Sequence, residues 1–219
     1  MGGLLAGPIR GVATAVLRAP VPLEKPMRLI ATEGGARLVS LEGVLIGEAR
    51  PGDPADLPEP PVRPSLEAAA AAALGFVGLK RPFHPVCFTC GVLDDGYGCR
   101  VFAGQVEGAP AGHVASPWTP HGNFADEDGL APLEVVWAAL DCPGSVAWVV
   151  QEGGGGLLGT MTCEVLRRPR AGEACIVTAW PIERSGRKSL SGTALFTAEG
   201  ELLARSRQIW IGRAPTPPE

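Results

Sequence analysis

The chain has 219 residues, 46% hydrophobic and 19% charged, a balance that excludes a disordered protein and supplies a real apolar core. Its formal net charge of -4 leaves no basic excess for nucleic acid or an anionic membrane, so a small-molecule ligand is expected. No apolar run approaches the roughly 18 residues that span a bilayer, and the opening Met1-Gly-Gly-Leu-Leu-Ala lacks the basic head of a secretory signal. The expectation is a cytoplasmic protein whose six cysteines are reduced.

Taken in chain order, residues 11–18, 27–32, 36–41 and 44–48 are β-rich runs, with Gly34-Gly35 as a hairpin turn. A Pro-rich, acidic linker over residues 50–64 follows, and then an alanine run to Ala73 that Ser65 can N-cap as a short helix. Further on, Leu133, Val136, Trp137 and Leu140 fall at i, i+3, i+4 and i+7, which predicts an apolar helix from Pro132 to about Leu140 that stops at Pro143-Gly144. Residues 159–167, 174–183, 188–197 and 202–211 are β-rich again, separated by turn signals at residues 169–172, Ser185-Gly186 and Glu199-Gly200. Val16-Leu17-Arg18-Ala19-Pro20 recurs as Val165-Leu166-Arg167-Arg168-Pro169, and Ser40-Leu41-Glu42-Gly43 as Ser189-Leu190-Ser191-Gly192, both at an offset of 149 residues. That common offset points to an internal duplication, with one module over residues 1–49, a linker and helix over 50–80, and a second module over 81–219.

Several of these segments carry a family likeness. Cys87-Phe88-Thr89-Cys90-Gly91, with Gly98-Cys99-Arg100-Val101-Phe102, resembles the opening of many bacterial hotdog thioesterase-like proteins. Ala115-Ser116-Pro117-Trp118-Thr119-Pro120, the stretch from Val136 through Asp141-Cys142-Pro143-Gly144, Gly186-Arg187-Lys188 and Leu203-Ala204-Arg205-Ser206-Arg207 with Trp210 look like a subgroup with two hotdog repeats in one chain. The resemblance implies an α+β fold of two tandem hotdog modules, each an antiparallel sheet wrapped around a helix, forming a pseudo-dimer, with a homodimer of chains as a further possibility. It also implies hydrolysis of an acyl-CoA or related acyl thioester in a cleft between the two hotdog helices, or, as the alternative, a non-catalytic protein that binds acyl-CoA or another apolar ligand. The subgroup's first module begins with an additional strand, whereas this chain starts at Met1 immediately before Gly2-Gly3; either the start lies further upstream, or the strand is absent and a sheet edge is then expected to be exposed or covered by a partner.

In phenylacetate-pathway-type hotdog thioesterases an Asp on the hotdog helix serves as nucleophile or base, and the resemblance assigns that position to Asp141. A carboxylate can attack a thioester or activate water, and a thiolate leaves readily. Near a helix C-terminus the same acid would be disfavoured by the dipole and would want another partner. These enzymes also hold the thioester carbonyl on the amide of a helix-start glycine eight residues before the Asp; here that residue is Leu133. The resemblance therefore suggests one composite site, with Gly2 or Gly3 supplying the amide and Asp141 the carboxylate. The mirror-related site, with Arg10 or Gly11 facing Leu133 or Glu134, looks inactive. Glu134 is a second candidate acid, though a carboxylate in a first helical turn is stabilised there by the dipole whatever its function.

Arg187, among Arg167, Arg168, Arg170, Arg184 and Lys188, could bind the phosphates of coenzyme A. As strand-end residues they could equally be solvated. His84, Cys87, Cys90 and Cys99 supply ligand types that zinc accepts, but with no second Cys-x-x-Cys pair in the chain the expectation is no metal and no cofactor. Cys142, Cys163 and Cys175 are expected to pack. Asp126, Glu127 and Asp128 read as a solvated loop able to contribute a cap, His113 and His121 as satisfied or surface histidines, and Gly153 to Gly156 as a flexible loop, since no Lys-Ser/Thr follows.

Overall fold

The computed structural model describes residues 1–81, 85–93 and 98–212. The first half contains helix α1 (Gly2–Ala6), strands β1 (Ala13–Leu17), β2 (Met27–Thr32), β3 (Gly35–Ser40) and β4 (Leu45–Pro51), and then helices α2 (Leu66–Ala73) and α3 (Val77–Lys80). The second half contains β5 (Gly104–Gln105), β6 (Val114–Trp118), the long helix α4 (Leu133–Glu152), β7 (Leu157–Val165), β8 (Cys175–Ser185), β9 (Lys188–Thr197) and β10 (Leu202–Ile211). The bounds of β2, β9 and β10 coincide with the sequence expectation because tight turns bracket them. Ser65 caps α2 as expected, its hydroxyl accepting from the Ala68 amide at 3.1 Å.

The strands form one antiparallel sheet in the order β2-β3-β4-β1-β7-β10-β9-β8-β6-β5. In the second half β5-β6-β8-β9-β10-β7 curl around α4, which packs against β7 to β10. In the first half β2-β3-β4-β1 repeats the order β8-β9-β10-β7, with α1 lying between β1 and α4. These are two tandem hotdog modules sharing a sheet, the α+β architecture expected from the sequence. They join where β1 pairs with β7. At that junction the hydroxyls of Thr14 and Thr162, both buried, hydrogen-bond to each other at 2.9 Å.

The repeat is real in topology but not at the offset read from the sequence. Three buried residues followed by two half-buried ones describe β1 and equally residues 161–165 of β7, so Thr14 corresponds to Thr162, a separation of 148. Arg18 and Ala19 both donate to the Ile46 carbonyl, and Leu166 and Arg167 both donate to that of Leu203, which repeats the same separation. In the hairpins, Thr32 opposite Gly35 corresponds to Ser185 opposite Lys188. Ser40 thus closes β3 while Ser189 opens β9, so their shared four-residue string is not structurally equivalent.

The helix expected to stop at Pro143-Gly144 runs on to Glu152 and ends at Gly153 in the left-handed conformation. A proline inside a helix costs about 3 kcal/mol, largely through a lost backbone bond. Here the carbonyls around the break have other donors. Thr89 Oγ1 donates to Ala138 O at 2.8 Å, Gln208 Nε2 to Leu140 O at 2.7 Å and Ser191 Oγ to Gly144 O at 2.7 Å. Contacts from the Thr89 loop and from β9 and β10 thus hold the neighbouring carbonyls where the local sequence signals a stop. The resulting α4 is, among the described residues, the one helix long and apolar enough to cross a membrane, with a mean hydropathy of 1.4. Glu134, Asp141 and the Pro143-Gly144 pair hid that length in the sequence. More than half of it is buried in the fold, where Val136, Leu140, Val146 and Trp148 build the core.

Two edges remain. β2, at one edge, is exposed along nearly its whole length; at the other edge α2 lies against β5 and β6.

Candidate active site

Asp141 is the ninth residue of α4. Its side chain is half-buried. Its carboxyl has no hydrogen-bond partner among the described residues. Burial is the main cause that pushes its pKa up, to about 7; negative charge at Cys87 adds to the rise and the Met1 amino group opposes it. The first two turns of α4 meet α1. A Cβ on Gly2 would lie 2.9 Å from the Trp137 ring, and one on Gly3 would lie 2.5 Å from Glu134 Cα. With the Met1 amino group in reach of Asp141, α1 runs antiparallel to α4, its start pointing toward Asp141.

The sequence-derived candidates separate accordingly. Gly2 and Gly3 are brought to the helix pair that carries Asp141, and close packing alone accounts for glycine at both positions. Glu134 is exposed in the first turn, about 10 Å along the helix from Asp141 at 1.5 Å per residue. Arg187 is exposed in the β8–β9 hairpin, where its Nε donates to the Gly212 carbonyl at 3.2 Å. That hairpin lies toward the far end of α4, where Arg184 pairs with Glu152. Of the other arginines, Arg167 pairs with Glu173 and Glu201, and Arg168 with Asp126. Asp126 also accepts from the Asp128 and Leu130 amides, so part of the acidic cluster organises the loop ahead of α4.

His113 is buried against Thr178, Nε2 to Oγ1 at 3.0 Å, and burial lowers its pKa. His121 Nδ1 accepts from the Asn123 amide at 3.1 Å. Both are satisfied histidines, as expected. Gly153 to Gly156 form a loop in which Gly156 N donates to Ser145 Oγ. A separate cavity of about 220 Å³ is lined by residues 98–100 and 117–119 with His121 and Phe124. It includes Trp118, whose buried indole Nε1 has no partner among the described residues.

One grouping was missed in the sequence. Cys142, expected only to pack, is half-buried, and its sulfur lies 3.5 Å from that of Cys87. Cys87, Cys90 and Cys142 have all their sulfurs within 4.8 Å of one another. Hydrogen bonds from the Cys142 and Cys90 thiols hold the Cys87 thiol well below the usual cysteine range, and its donation to Cys87 pushes Cys142 up. The grouping differs from the His84, Cys87, Cys90 and Cys99 set weighed in the sequence: Cys99 is buried outside it, and His84 lies outside the described residues. The signal available in the sequence was the Cys-x-x-Cys itself. Its third member stands 55 residues away on the stretch of helix assigned to a stop.

No family model and no curated protein matches the chain. Solved structures match about half of it. A thioesterase superfamily protein is 18% identical over 52% of this chain and 55% of its own, with a TM-score of 0.47; the match thus spans little more than half of that protein's length. Zebra fish thioesterase superfamily member 2 is 18% identical over 50% of this chain and 80% of its own (TM-score 0.45). A Streptococcus mutans protein solved bound to acetyl CoA is 10% identical over 48% of this chain and 83% of its own (TM-score 0.45).

Proposed function

We propose that this chain hydrolyses an acyl thioester, carried on coenzyme A or on a carrier protein, at Asp141. One observation carries the reading. A carboxyl sits in the middle of the central helix, half-buried and without a hydrogen-bond partner among the described residues. Desolvating a carboxyl without a compensating hydrogen bond carries a cost, and its raised pKa, to about 7, leaves it able to exchange a proton near neutral pH. In the proposed reaction Asp141 accepts a proton from water as the water oxygen bonds to the thioester carbonyl carbon; the carbon–sulfur bond then breaks and the thiolate takes up the proton. The products are a carboxylic acid and a free thiol. Arg187 would meet the phosphates of a coenzyme A ligand at the rim, far from the reacting carbon.

A second reading, ligand binding without turnover, is favoured by one feature. The start of α1, where the resemblance would place the carbonyl-binding amide of Gly2 or Gly3, is packed closely against Trp137 and Glu134 of α4. Thiol release from a panel of acyl-CoAs, followed by mass spectrometry so that the protein's own cysteines do not interfere, separates the two readings. Catalytic turnover supports hydrolysis; saturable binding with no thiol released supports the binding protein.

A further inference from the structure

The three sulfurs of Cys87, Cys90 and Cys142 come from a loop and from the middle of α4, and their spacing fits a metal. Thiolates bound at about 2.3 Å to one tetrahedral ion stand about 3.8 Å apart. Cys87 and Cys142 are 3.5 Å apart, and all three sulfurs lie within 4.8 Å of one another. The loop is also shaped for this. The turn closes with Gly91 N donating to Cys87 O at 2.7 Å. A Cβ on Gly91 would lie 2.5 Å from that oxygen and 2.8 Å from Cys87 N, so the turn tolerates only glycine. Thr89 Oγ1 fastens the same loop to α4 through Ala138 O, and the amides of Cys99 and Val101 bond back to the carbonyls of Phe88 and Thr89. Cys-x-x-Cys-Gly is thus a rigid two-sulfur knuckle held against a third sulfur.

We propose that Cys87, Cys90 and Cys142 bind one zinc ion as a three-thiolate site. Soft sulfur ligands in tetrahedral array select thiophilic ions such as zinc over magnesium or calcium. A fourth position is left for water. The ion ties the Cys87–Cys90 knuckle to α4 at the proline break. This site does not rest on the thioesterase reading, because metal content is measured without substrate.

The test uses the full chain, purified with a non-thiol reductant, loaded with zinc and desalted. Elemental analysis is expected to find about one zinc per chain, and cobalt(II) substitution to give the intense thiolate-to-metal absorption of a sulfur-rich tetrahedral site. Cys142→Ser and Cys87→Ser should each lower retained zinc at least about tenfold. Cys99→Ser, outside the cluster, should retain it. Zinc should also protect these three thiols, and not Cys99, from alkylation read by mass spectrometry, a measurement on the wild-type chain that does not depend on any variant folding. Wild-type protein that keeps no zinc and shows no thiolate–cobalt band, whether its thiols are free or joined as a disulfide, overturns the proposal. So does retention of zinc by both Cys142→Ser and Cys87→Ser.

Discussion

Replacing Gly144 by alanine pits helix propensity against packing. In an exposed helix interior the change would stabilise by about 1 kcal/mol, because alanine loses less backbone entropy than glycine. In α4 the new Cβ would lie 1.9 Å from Gln208 Oε1 and 2.9 Å from Trp210 Nε1. Gln208 has to leave, and with it go the bond from its Nε2 to Leu140 O and the bond it accepts from Trp210 Nε1. Gln208 and its hydrogen-bonding neighbours Thr193 and Ser206 are fully buried. Each buried group left unpaired costs about 1–3 kcal/mol, so two lost bonds outweigh the propensity gain and Gly144→Ala should destabilise by about 1–5 kcal/mol. Urea unfolding followed by tryptophan fluorescence and circular dichroism measures this. A neutral or stabilising Gly144→Ala would refute the reasoning, since it would mean that the Gln208 clamp contributes nothing to holding α4 on the sheet.

Two other substitutions probe the junction and the core. Thr14→Val leaves the Thr162 hydroxyl buried without its partner and should cost about 1–3 kcal/mol, whereas the double variant with Thr162→Val should recover part of that loss; additive losses in the double-mutant cycle would deny the coupling. Because burial lowers the pKa of His113, the unfolded chain takes up that proton first as pH falls below about 6.5. Stability should therefore drop from there toward the folded-state value. A His113→Gln variant should show a shallower pH dependence of the unfolding midpoint in that window, and an unchanged slope would contradict the assignment.

Much of the sheet was legible because tight turns and alternating apolar residues mark strands whose partners are sequence neighbours. β9 and β10 were read to the residue on that basis. β5 and β6 were not: β5 is two residues long, and Pro117 within β6 argues locally against a strand. The second half of α4 was hidden by Pro143-Gly144, since the side chains that bond the helix's carbonyls around that point, Thr89, Ser191 and Gln208, are distant in sequence. The repeat was legible as topology, but its short string matches were off by one residue at β1 and by four at β3. Of the site, Asp141 was reached through family resemblance alone, and the convergence of Cys142 on the Cys87–Cys90 turn exists only once the helix is continued. The contact of Gly3 with Glu134 likewise depends on how α1 lies on α4.

The central claim is that Asp141 is the reacting carboxyl, and one paired measurement tests it most directly. The acyl-CoA that the wild type turns over fastest is followed with Asp141→Asn beside it, with binding of the same ligand measured calorimetrically for both. The account predicts that kcat falls by about two to four orders of magnitude while affinity changes little, as expected on removing a general base. Wild-type turnover that Asp141→Asn retains in full would contradict it.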